Sequence, residues 1–153
     1  MLIEELLDKI KVSVDNISTI HTYTCGMVYN NWNTKEIAYS AVNVYPNTVE
    51  VTNETITHNL TIYYADKLNE TQSNEYNIYD YGIISLEYIK QQLENNNNVV
   101  VEMGEYHTFN QKFADELAGV YVDVEITTKN NIGSCNTIYN ADFNTETEDE
   151  TEG

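Results

Sequence analysis

Apolar and polar residues alternate along this chain with two different periods, and the switches between them divide it into elements. Ile3, Leu6, Leu7, Ile10 and Val14 recur every three or four positions, which predicts an N-terminal helix with one apolar stripe. The stripe fades at Asp15-Asn16, whose side chains compete for backbone hydrogen bonds. From Ile20 the period is two. In IHTYTCGMVYN, His21, Tyr23, Cys25, Met27 and Tyr29 share one face of an expected strand. NNWNT follows as a polar turn that puts Trp32 at a hairpin tip. EIAYSAVNVYP reads as the next strand, with Tyr39, Ala41 and Tyr45 opposite Ser40, Val42 and Val44, and Pro46 ends it or sits at an edge. TVEV and TITHNLTIYYADKL continue the sheet. Ile56, His58, Leu60, Ile62 and Tyr64 face one side of the latter, and Thr55, Thr57, Asn59 and Thr61 the other.

LNETQSNEYN is a polar loop, after which Asp80 is placed to cap a second helix, GIISLEYIKQQLE, with Ile83, Leu86, Ile89 and Leu93 inward. Four Asn residues, 95 to 98, stop it. VVVEMGEY is a strand. FNQKFADELAG reads as a loop with a helical turn ended by Gly119. The closing strand VYVDVEITT has Val120, Val122, Val124 and Ile126 on a dry face and Tyr121, Asp123 and Glu125 on the other. The expected fold is α+β: one antiparallel sheet, a meander, with both helices on one face. Residues 1–133 form a single domain, and 134–153 an acidic tail too polar to fold on its own.

Charge narrows the classes of partner. The net charge is −18, and all seven basic residues are Lys. Phosphate contacts need clustered cations and bidentate guanine readout needs Arg, so nucleic-acid recognition is disfavoured. The same holds for an anionic membrane surface. MLIEELLDKI is acidic and amphipathic, unlike a secretory signal. Two cysteines, Cys25 and Cys135, are too few for a disulfide framework and read as reduced thiols.

Chemical signatures are missing. GxSxG, a P-loop and GxGxxG do not occur, and the six glycines are scattered. His21, His58 and His107 lack zinc-ligand spacing, although His21 and His58 could meet across neighbouring strands. Acidic residues are so frequent that paired carboxylates carry no specificity. The reading is therefore of a non-enzyme with no cofactor and no metal. The many strand tyrosines fit three roles: stacking on a ligand, filling the core, or making protein interfaces.

Two stretches carry a family resemblance. LTIYYADKLNETQSNEYNIYDYGIISLEYIKQQLE and FNQKFADELAGVYVDVEITT resemble a group of small virion proteins of tailed phages of Bacteroides-type hosts, crAss-like phages among them. The likeness spans residues 2 to 130 or so and leaves out the acidic tail. Its members resemble tail-terminator and head-to-tail connector proteins. The resemblance implies a helix, a meander with a protruding hairpin, a second helix and closing strands. It also implies a structural virion protein whose copies form rings of about six or twelve around the DNA exit channel. Partners would be further copies of the chain and adjacent portal, connector or tail proteins, with genomic DNA passing without specific contact. On that reading Tyr29, Trp32, Tyr39 and Tyr45 supply contact surface between copies. Asp123 and Glu125 either line a negatively charged lumen or belong to a solvated outer face. An acidic inhibitor that mimics DNA is the competing expectation.

Overall fold

In the computed structural model, residues 1–32, 37–95, 98–110 and 116–132 are described. The acidic tail, Cys135 and residues 111–115, where most of the expected helical turn falls, lie outside them. The elements in chain order are α1 (Ile3–Asp15), β1 (Thr22–Cys25), α2 (Val28–Trp32), β2 (Ala41–Val51), β3 (Thr55–Lys67), α3 (Glu75–Glu94), β4 (Val99–Met103), β5 (His107–Asn110) and β6 (Leu117–Lys129). The architecture is mixed α+β. A six-stranded sheet runs β1-β2-β3-β6-β4, and β5 also pairs with β6.

The period-two residues build the core as their spacing predicts. Ile56, His58, Leu60, Ile62 and Tyr64 of β3 lie beside Val120, Val122, Val124 and Ile126 of β6, all buried. α1 and α3 cover this face with Leu6, Ile10, Val14, Ile78, Leu86, Ile89 and Leu93. His58 is locked here, its Nε2 2.8 Å from the Met1 carbonyl oxygen. His21 is exposed just before β1, at the opposite end of the sheet and two strands away, so the two histidines do not meet.

Several expectations need correction. The strand read through Met27 and Tyr29 stops at Cys25, because Gly26 turns the chain with φ +104° and α2 follows. β1 pairs with β2 in parallel, so the sheet is mostly but not wholly antiparallel. α2 covers the opposite face from α1 and α3, packing Val28 and Trp32 on Ala41, Ala65, Phe109 and Leu117. The two helices that the sequence predicts, α1 and α3, share one face as expected, and the unforeseen α2 lies on the other. The β2–β3 hairpin does not protrude. β6 accompanies β3 to its end, and Asn130 bonds both Glu54 and Thr52 of the hairpin turn. α3 begins at Glu75, with Asn74 in the N-cap position making no side-chain bond to the helix, so Asp80 lies inside it and caps nothing. Gly119 ends no helix. It sits inside β6, where a Cβ would run into the Tyr64 carbonyl and the Phe109 ring. Pro46 is at an edge: β1 accompanies β2 only to Val44, and a bulge falls between Pro46 and Thr48.

Candidate functional site

The side of the sheet away from α1 and α3 is dry at one end and acidic at the other. At the dry end the aromatic residues run in a row across the strands. Trp32 meets Tyr39 and Tyr63 edge-on, with centroids 6.4 and 6.3 Å apart. Tyr63 lies 5.4 Å from Tyr121, and Tyr121 stacks on His107 at 4.9 Å. Burial, and then the nearby Tyr121 and Asp123, hold the Tyr63 phenol above its ordinary pKa. Asn43, fully buried, fixes this end. Its amide donates to the Gly26 carbonyl, and its Oδ1 accepts from Thr24 and Asn31.

Trp32 is 1% exposed within a single chain. This corrects the expectation of a hairpin-tip contact residue, because α2 turns the indole inward onto Tyr63. Tyr39 is half-buried, and its hydroxyl donates to the Trp32 carbonyl at 3.2 Å. Tyr45 is half-buried on β2, in the same row as Thr61 and Asp123. Tyr29 alone of the four is well exposed, at 52%. The four residues thus divide into one core residue, two half-buried ones and one surface one.

Asp123 and Glu125 stand together on the acidic end, as alternation on β6 requires. Glu102 of β4 lies directly opposite Glu125, a carboxylate that no sequence pattern had linked to the other two. Only the strand register brings it there. Thr61 donates to Asp123 Oδ1 at 2.7 Å and accepts from Asn47 at 2.8 Å, and Asn59 donates to Thr48. Asn47, Asn59, Glu102, Asp123 and Glu125 line an open groove of about 500 Å³, with Gly104 and Met103 at its wall. Glu50 adds a fourth carboxylate to the same face, whereas Lys129 and Lys67, at its two opposite ends, are the cations among the described residues of these strands on that side. Like charges directly opposite on a sheet repel, by about 0.2–1 kcal/mol for such a pair.

Among the described residues, no group of three or more His, Cys, Asp or Glu is placed to hold a metal ion. No helix among them is long and apolar enough to cross a membrane. No family model matches the chain, and no curated protein matches it.

Proposed function

We propose that the chain is a structural subunit that assembles with copies of itself into a ring of a phage connector or tail, as the sequence resemblance implies. The observation that carries this reading is the acidic sheet face. Asp123 and Glu125 on the inner strand β6 and Glu102 on the edge strand β4 form a wall with no cation between them. Such a wall repels a polyanion and leaves it free to slide, where clustered Lys or Arg would hold it through counterion release. The chemistry needed is passive. Adjacent portal, connector or tail proteins are the neighbours this role calls for, and the location is the virion.

The test is the native mass of the purified protein, combined with negative-stain imaging. Rings whose inner surface carries the 120–126 strand are the expected result. A monomer that binds a basic nucleic-acid enzyme instead points to the DNA mimic. A ring with a lysine-lined lumen overturns the assignment of the acidic wall.

A further inference from the structure

Within the described residues, the sheet ends in two unpaired edges that match each other. On one side β1 accompanies β2 only as far as Val44, so Thr48–Val51 have no strand beside them. On the other, β4 is the last strand of the path. Backbone donors and acceptors on such an edge readily pair with another chain. Each edge also carries exposed valine: Val49 at 52% and Val51 at 55% on β2, and Val100 at 59% on β4.

The two edges lie at the same height in the sheet. Tracing the register across it, Val51 aligns through Ile56 and Thr128 with Val99, and Val49 through His58 and Ile126 with Val101. Glu50 aligns in the same way with Val100, and Thr48 with Glu102. Their directions also match. β2, β3, β6 and β4 alternate, so β4 of a second copy set beside β2 continues the antiparallel order.

We propose that β4 of one copy pairs with the Thr48–Val51 edge of β2 in the next, continuing the sheet from subunit to subunit. This rests on the assembly reading above and specifies the contact that builds it. At equal height the cross-copy neighbours are Val51 with Val99, Val49 with Val101, Glu50 with Val100 and Thr48 with Glu102. The two half-exposed valines of β2 gain valine partners, and no carboxylate faces another across the junction. Pro46, which has no N–H, and the bulge beside it keep the incoming strand from sliding towards β1. The two edges are different surfaces, so the contact is head-to-tail, the type that generates rings or filaments, and not a two-fold dimer.

The test is a disulfide across the junction. Glu50→Cys and Val100→Cys are introduced together into a chain carrying Cys25→Ser and Cys135→Ser. Within one copy these positions are three strand spacings apart, about 14 Å, too far to bridge. A ladder of crosslinked multimers on a non-reducing gel is the expected result. Independently, Val51→Lys, at an exposed position, weakens assembly on the order of tenfold or more in dissociation constant, while Val12→Lys on the exposed side of α1 leaves it unchanged. An oligomer that forms no ladder and tolerates Val51→Lys overturns the edge pairing and leaves the assembly reading standing. A chain that stays monomeric at every concentration overturns both. Crosslinked filaments in place of rings keep the edge pairing and overturn the ring.

Discussion

Gly119 decides whether the centre of the sheet can close. At that point β6 runs so near β3 that a methyl group would overlap the Tyr64 carbonyl oxygen, and the Phe109 ring sits 2.7 Å from where it would lie. One of these obstacles is backbone, which cannot rotate away. Gly119→Ala therefore forces β3 and β6 apart where they are paired on both sides of the site. The expected loss is about 3 kcal/mol in urea denaturation, at or above the upper end of overpacking effects. An unchanged midpoint would mean that the strands have room the geometry denies them. Gly82 makes a similar approach from α3, but its obstacles are the side chains of Val120 and Tyr64, which can shift. Alanine is milder there. At the same scale, Trp32 shows how one indole turned inward converts an expected contact residue into the anchor of the second core.

The elements divide by how much of their environment is encoded locally. α1, β3 and β6 were legible because each presents one apolar face for its whole length to one cover. β1 and α2 were not. The polar–apolar alternation across Met27 and Tyr29 looks like a strand, and only Gly26, in a conformation that L side chains rarely adopt, marks the break. The Asp123–Glu125 pair could be read from alternation, but the Glu102 partnership depends on a register between strands separated by more than a loop. The start of α3 was hidden for another reason. Its first turn carries a single core residue, Ile78, among polar and aromatic ones, and a side-chain bond adds to that one apolar contact. Tyr79 donates to Glu75 at 2.6 Å across one helical turn. Burial and that bond push the Tyr79 phenol up to about 12, and the bond holds the Glu75 carboxyl below its ordinary value. The signs give two arms. The raised phenol contributes stability that is complete below its ordinary value near 10 and lost as pH climbs through about 12. The lowered carboxylate contributes stability present above its ordinary range and lost as pH falls through its depressed value. The difference in urea midpoint between wild type and Tyr79→Phe is expected to be flat between about pH 5 and pH 10 and to shrink on either side. A difference that stays constant into strong alkali would show that the bond does not hold the helix start.

Across the whole molecule, charge opposes both folding and association. The chain carries 25 acidic residues against seven lysines, and one ion pair, Lys90–Glu94 at 4.0 Å, forms among the described residues. That pair is partly exposed and contributes little. With so few cations, the carboxylates mostly repel one another, and the acidic wall of Asp123, Glu125, Glu102 and Glu50 concentrates the repulsion on one face. Bringing copies side by side adds the field of each wall to the next. Salt should therefore stabilise the fold and the assembly together. Raising NaCl from about 0.01 M to about 1 M shortens the screening length from about 30 Å to about 3 Å. That is shorter than the distance between walls on adjacent subunits of a continued sheet, so intersubunit repulsion is removed almost completely. The thermal midpoint is expected to rise by on the order of 3–6 °C, equivalent to about 1–2 kcal/mol for a domain of this size, and the oligomeric fraction to rise with it. Apolar contact at the strand edges predicts the same direction, since salt does not weaken valine pairs. An interface built on ion pairs predicts the reverse, dissociation as the salt rises. Native mass measured across the salt series therefore separates an assembly held by sheet edges against its own charge from one held by charge.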